Sequence, residues 1–390
     1  MHLLDGPIRG YAWGSRSVIA ELQGRPTPSD GPEAELWLGA HPGAPATLVV
    51  EDGRRSLLEV LTAEPGHWLG ERVVERFGPR LPFLLKVLAA EAPLSLQAHP
   101  DADQARAGYA AEQHGAVAHR NYADPYHKPE LLVALSPFDA LCGFRDPVRS
   151  AEVFDAFGVP ALAPVVDALR GGVSGLSDAV RTLLSWPSTE RAGLLDAVLA
   201  AHLPERYAPD AALARDLADR YPGDPGVLVA LLLNHVRLAE GEAIWMPAGN
   251  LHAYLHGAGV EIMAASDNVL RGGLTPKHVD VPELLRVLRF EVLDDPVVRA
   301  VPVVPGVVTW PVPIEDFALH RVTPADATEP VRLAVPGPRV VFCRAGKLVL
   351  DDGAGAVTLG PGQSAVGAAV PGPLTVTGDG EAYVATAGLG

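Results

Sequence analysis

The stretch Ser95-Leu96-Gln97-Ala98-His99-Pro100 decides how this chain is read. Gln97 and His99 are separated by one residue, and side chains alternate along a β-strand, so the two project from one face. That is the arrangement two metal ligands need. Two later stretches supply the rest of a donor set. His127-Lys128-Pro129-Glu130 offers the Glu130 carboxylate, and Asn250-Leu251-His252-Ala253-Tyr254 offers a second imidazole, His252. A polar cluster on a strand surface would explain each residue singly. Two nitrogens and two oxygens together, with space left for water or substrate, predict an open catalytic Zn²⁺ site, one ion per chain, rather than a closed structural one.

At 390 residues the chain can build two or three domains with proper cores. Its 47 acidic against 31 basic residues give a formal charge of −16, which argues against nucleic acid or an anionic membrane as the main partner. An anionic ligand must then be held by a local group of Lys and Arg. Cys142 and Cys343 are the only cysteines, so no disulfide framework is expected and a reducing, cytoplasmic setting is. The opening Met1-His2-Leu3-Leu4-Asp5-Gly6 lacks the basic start and apolar core of a signal peptide, and no apolar run reaches membrane-spanning length. A monomer is expected.

Up to about residue 145 the pattern mixes short strands with turns. Strands are predicted over residues 82–89 and 93–99, two more over 131–144 around Ser136-Pro137, and brief helices near 56–63 and 101–112. From 146 the texture is helical. Asp146-Pro147 and Asp224-Pro225 each set an N-cap residue before Pro at the first helical position, and Val153, Phe154, Phe157 and Leu194, Leu195, Val198, Leu199 recur at helical spacing. Strand texture returns at 243–246 and 252–263. A Pro-rich run over 295–313 reads as a linker, followed by valine-rich runs broken by glycine that predict a β-sandwich or jelly roll. His320 is the single histidine of that last part, so the metal site is not expected there.

The three ligand stretches occur in order with Tyr11-Ala12-Trp13-Gly14-Ser15, Glu35-Leu36-Trp37-Leu38-Gly39-Ala40-His41-Pro42, Pro82-Phe83-Leu84-Leu85-Lys86-Val87-Leu88, Asp139-Ala140-Leu141-Cys142-Gly143-Phe144 and the block 247–277. In this series the chain resembles the type I mannose-6-phosphate isomerases (phosphomannose isomerases) from about residue 7 to 290. The resemblance implies a mainly β fold with a helical insertion. Residues 1–145 plus 236–294 would form a cupin-type jelly-roll catalytic domain, 146–235 the α-helical insertion, and 295–390 a second, C-terminal jelly roll. It implies a metal-dependent aldose–ketose isomerase that interconverts mannose 6-phosphate and fructose 6-phosphate through a cis-enediol. Such chemistry needs a Lewis acid, a base near the carbon and a proton route between two oxygens.

The resemblance also places further residues. Glu261, between Val260 and Ile262 on a buried-looking strand, stands among the active-site acids; the alternative is an acid paired for structural reasons, since a buried carboxylate is costly alone. Arg271, followed by Gly272-Gly273, would stabilise the charge that develops during reaction. Lys128 and Lys277 match substrate-facing lysines, with Lys277 and Ser95 as the phosphate-binding pair. Lys86, inside an apolar strand, lines the site or serves a structural ion pair. Asp267 and His127 are further polar candidates near the site, in a supporting role. His252 and His256 have helical zinc-pair spacing, but Pro247, Gly249, Gly257 and Gly259 argue against a helix, so His256 is expected at the rim. His114 and His119 are expected on the surface. Tyr126 and Ala102 depart from the family pattern, which usually has Asn and Lys there; the second removes one positive charge near the site. A metal-dependent cupin oxygenase would favour His-rich ligation, and a non-catalytic sugar-binding cupin would not need Glu130, Glu261, Arg271 and Lys277 in one pocket.

Overall fold

Every residue of the stretch Phe83–Ala90 is buried, as expected of a strand covered on both faces. In the computed structural model, which describes residues 1–50, 53–115, 119–325, 327 and 329–389, it pairs antiparallel with the long strand His252–Ala264. That strand is the hub of the first sheet. It also pairs with Leu96–Ala98, Glu130–Ala134 and Phe138–Phe144, so strands from before and after the helical segment share one sheet. The expected strand over 93–99 is shorter, Leu96–Ala98, because Pro93 and Pro100 lack the N–H a ladder needs.

Between Phe138–Phe144 and Leu233–Leu238 the chain is helical, with its longer helices at Pro147–Ala156, Ala163–Arg170, Leu176–Leu184, Arg191–Ala200 and Ala208–Arg220. Asp146 caps the first helix by accepting from the Val148 N–H at 2.8 Å. In the third, Leu176, Ala179, Val180, Leu183 and Leu184 are buried, the i, i+3, i+4, i+7, i+8 stripe of a helix with one face in the core. The expected cap at Asp224 takes another form. The last short helix begins at Gly226, after Pro225, and the Asp224 carboxylate accepts from the N–H groups of both Gly226 and Thr275. It thereby ties the helical segment to the loop that carries Lys277.

The second sheet corrects two expectations. Residues 295–313 are no linker: Val297–Val298 pairs with Ala243–Met246 of the first sheet, while Val301–Val304 and Val307–Thr309 form a hairpin in the second. Their valines supply the β propensity that outweighs the prolines, which sit near the sheet's outer edge. The second sheet also takes in the N-terminus. His2–Asp5 lies between Ser364–Gly367 and Thr47–Val50, so strands expected in the first unit belong to the sheet of the last. The two sheets meet on a common apolar core in which Leu36, Leu85, Val260 and Ile262 pack with Trp310, Phe317, Phe342 and Tyr383. Burying one such side chain contributes roughly 1.5–3 kcal/mol, enough to explain why the units are fused rather than tethered.

Candidate metal centre and substrate cavity

Sheet register brings the ligand candidates together. Gln97 is the cross-strand partner of both His252 and Arg271, so three site residues stand in one row over three neighbouring strands. His99, Glu130 and His252 are all buried, and one ligand atom from each lies within 4.8 Å of the others. Glu130 Oε2 is 3.4 Å from His99 Nε2 and 3.2 Å from His252 Nε2.

The ring protons explain what that cluster is built for. His99 Nδ1–H donates to the Asn268 carbonyl at 2.7 Å, and His252 Nδ1–H donates to the Asn250 carbonyl at 3.1 Å. Each Nε2 is therefore left with a lone pair, turned toward a carboxylate oxygen, and neither has a hydrogen-bond partner although both are buried. Three electron-rich atoms facing one another without a proton between them are satisfied by a cation, so the residues fit Zn²⁺. Burial, together with the nearby Lys128 ammonium, pushes His99 down to about 4, which keeps its ring neutral at pH 7. Burial opposes the charge on Glu130, yet Lys128 at 2.8 Å from Oε1 and the two imidazoles hold its carboxyl well below the usual range.

Above this cluster opens a cavity of about 850 Å³. Ser95, Gln97, Lys86, Lys128, Glu130, Glu261, Asp267, Arg271 and Lys277 all line it, so most of the predicted site residues share one space. His99 and His252 lie behind its wall. His127 does not join them; it stands before the strand Glu130–Ala134 and its Nε2 sits 3.0 Å from Asp316, while the next residue, Lys128, reaches Glu130. His256 is exposed and is absent from the cavity lining, so it is no rim residue. His114 and His119 are exposed, as expected.

His252 and Glu261 are nine residues apart, which on a regular strand would put them on opposite faces. The pairing with Phe138–Phe144 slips between Tyr254 and His256, and Gly257 follows with φ +123°, where a Cβ would meet Phe138 at 2.7 Å. This bulge shifts the alternation by one residue. As a result Tyr254 OH donates to Glu261 Oε1 at 2.6 Å, and Lys86 Nζ reaches Glu261 Oε2 at 3.0 Å. Lys86 is also 3.5 Å from Glu35, which accepts from the Trp37 indole N–H at 2.8 Å. Burial works against the Lys86 ammonium, but Glu261, Glu35 and Glu130 outweigh it and raise its pKa. Burial also raises Glu261, and the carboxylates of Glu130 and Glu35 add to that against Lys86. Tyr254, raised by burial and by Glu261, stays a donor. One ammonium thus serves two acids, and Glu261 holds a proton more readily than an ordinary carboxylate.

Residues that sequence reasoning gave no role now appear in the wall. His41 Nε2 lies 3.2 Å from Asp267, whose carboxyl is lowered by that contact. Tyr11 stacks on Trp13 at the mouth, and Arg220 and Tyr221 reach the cavity from the helical segment. Glu35 and His41 stood within a quoted stretch, but nothing in its composition marked them as facing Lys86 and Asp267. Arg271 is half-buried, with no ion-pair partner among the described residues, and burial lowers its pKa.

Residues 1–147 match the model of the phosphomannose isomerase type I catalytic domain. Over 97% of its length the chain is 38% identical to the mannose-6-phosphate isomerase of Escherichia coli strain K12, covering 98% of that protein. This chain belongs to the type I phosphomannose isomerase family. The family likeness extends to the Homo sapiens mannose-6-phosphate isomerase, 34% identical over 74% of this chain and 72% of that one. A crystal structure of a zinc-bound holo mannose 6-phosphate isomerase matches with a TM-score of 0.89 at 34% identity, over 100% of this chain and 99% of the other. Crystal structures of phosphomannose isomerase mutants from Salmonella typhimurium match at a TM-score of 0.88, again at 34% identity.

Proposed function

We propose that this protein is a zinc-dependent mannose-6-phosphate isomerase, with Gln97, His99, Glu130 and His252 as the ligands of one Zn²⁺. The observation that carries the reading is the pair of buried, unpartnered Nε2 atoms facing Glu130 beneath a cavity lined with catalytic groups. Bound there, zinc would supply a Lewis acid for the oxygens on which charge develops. Glu261 takes and returns the proton that moves between the two carbons, its affinity for that proton set by burial, Lys86 and Tyr254. Lys128 and Arg271 are fixed positive charges beside the reacting centre, and Arg271 offsets the enediolate without losing its own proton. Lys277 and Ser95 hold the phosphate, and Asp267, oriented by His41, contacts the sugar.

The same reading makes the protein a cytoplasmic monomer built on two cupin-type jelly rolls, acting on a free sugar phosphate and on neither nucleic acid nor membrane. Its net charge of −16 and its two free, buried cysteines support this. Among the described residues no helix is long and apolar enough to cross a membrane. The test is to measure zinc content and mannose 6-phosphate turnover on one preparation, before and after chelation. One zinc per chain with activity that leaves and returns with the metal is expected. Full turnover in metal-free protein would overturn the reading.

A further inference from the structure

On the far side of Arg271 and Lys277 lies a second, smaller pocket of about 190 Å³, lined by His119, Arg120, Asn121, Arg271, Lys277, His278 and Asp280 among others. His119 and His278 stack there with ring centroids 4.2 Å apart. Arg120, Arg271 and Lys277 make no ion pair among the described residues, although the chain carries 47 acidic side chains. The one acid in the lining is already engaged, since Asp280 accepts from the Asn121 side chain at 2.9 Å and from the Glu283 N–H at 3.1 Å. Three unpaired cations gathered in one pocket repel one another unless an anion sits among them, and the two imidazoles beside them offer ring N–H donors to such an anion. A larger cleft beside Arg145 differs in having three acids in its own lining, Asp146, Asp210 and Asp294, with Arg145 paired to Asp210 at 2.6 Å and Arg237 to Asp139 at 3.1 Å.

We propose that this pocket is a second anion site that takes inorganic phosphate, whose occupant draws Arg271 and Lys277 away from the sugar phosphate in the main cavity. The guanidinium groups of Arg120 and Arg271 match the planar donor geometry that phosphate accepts, and Lys277 adds a point charge. Both Arg271 and Lys277 line the two spaces at once, so the occupants compete. Free phosphate then acts as a brake on the enzyme. The competition rests on the isomerase reading; the binding does not.

The experiment titrates the zinc-loaded protein with inorganic phosphate at fixed ionic strength, by calorimetry and by inhibition of mannose 6-phosphate turnover. The variants are Arg120→Ala and Arg120→Ala/His278→Ala. We expect competitive inhibition by phosphate that weakens at least tenfold in the double variant, with KM and kcat for the sugar phosphate within twofold of the unaltered protein. Calorimetry should show the same tenfold loss, and it reads binding even if turnover proves absent. An unchanged phosphate affinity in both variants would overturn the proposal. So would a parallel rise in KM, which would make the pocket the substrate's own phosphate seat. The single variant alters an exposed side chain and keeps the test valid if the double one fails to fold.

Discussion

Lys86 and Glu261 are cross-strand partners 175 residues apart in sequence, and their charged atoms meet at 3.0 Å in the wall of the cavity. The pair is almost wholly buried, so it answers to two different demands. It must be stable as an ion pair out of water and, in the proposed reaction, it must keep Glu261 available for proton transfer.

Removing one partner separates those demands. Lys86→Met leaves the Glu261 carboxylate without its ammonium and should cost roughly 3–5 kcal/mol in urea unfolding, while Lys86→Met/Glu261→Leu should recover part of that. Neither variant should isomerise. Substantial turnover in the double variant, which lacks Glu261 altogether, would show that Glu261 has no part in the chemistry.

Glu261→Gln keeps the shape and removes the proposed base. Its kcat should fall by about 10²–10⁴ with KM little changed and zinc retained. Metal analysis beside steady-state kinetics checks this, and a loss of zinc in step with activity would move Glu261 to the metal shell.

His252→Ala deletes a donor at the cluster where Nε2 has no protein partner. The protein should fold, as judged by circular dichroism, yet bind zinc at least 100-fold more weakly and lose turnover with it. Full zinc occupancy in this variant would refute the ligand assignment.

Arg271→Ala and Lys277→Ala should part in their kinetics. In the proposed roles Arg271 would face charge that exists only as the reaction proceeds, so its loss should lower kcat; Lys277 would hold phosphate throughout, so its loss should raise KM. Each charged contact is worth roughly 2–4 kcal/mol. Turnover at saturating substrate that survives Arg271→Ala but not Lys277→Ala would reverse the roles.

His320 tests the link between acidity and stability away from the metal. Burial lowers its pKa to about 4, so between that value and the ordinary 6.5 the unfolded chain binds a proton that the folded one does not. Stability is therefore complete above about pH 6.5 and falls as the pH drops toward 4, by on the order of 2–3 kcal/mol from this group. Urea midpoints of zinc-loaded protein should show a shallower acid slope in His320→Phe. An identical slope would put the acid sensitivity elsewhere.

Local chemistry made much of the site legible. Gln97, His99, Glu130 and His252 could be named because ligand types are few and a strand's alternation is simple. The helical stretch announced itself through the Asp146-Pro147 start and the spacing of Val153, Phe154 and Phe157. What sequence did not reveal depends on long-range pairing. The bulge after Tyr254 is a register event between distant strands, and it decides that Glu261 faces the same side as His252. The contacts of His41 with Asp267 and of Glu35 with Lys86 likewise need the folded sheet. The strands within 295–313 were hidden by their prolines, and the place of His2–Asp5 by a partner some 360 residues away.

That last pairing sets a timetable. Leu3 meets Ala365 across the sheet, and Ser364 donates its hydroxyl to the Leu4 carbonyl. On a ribosome adding about 5–20 residues per second, the first strand can pair early with Thr47–Val50 but waits roughly 20–70 s for its second neighbour to be made. Until then its apolar face and open edge must be shielded by nascent structure or by a chaperone. The N-terminal segment, first to emerge, is thus among the last to be locked in place, and a chain released short of residue 364 would carry an unfinished sheet into the cell.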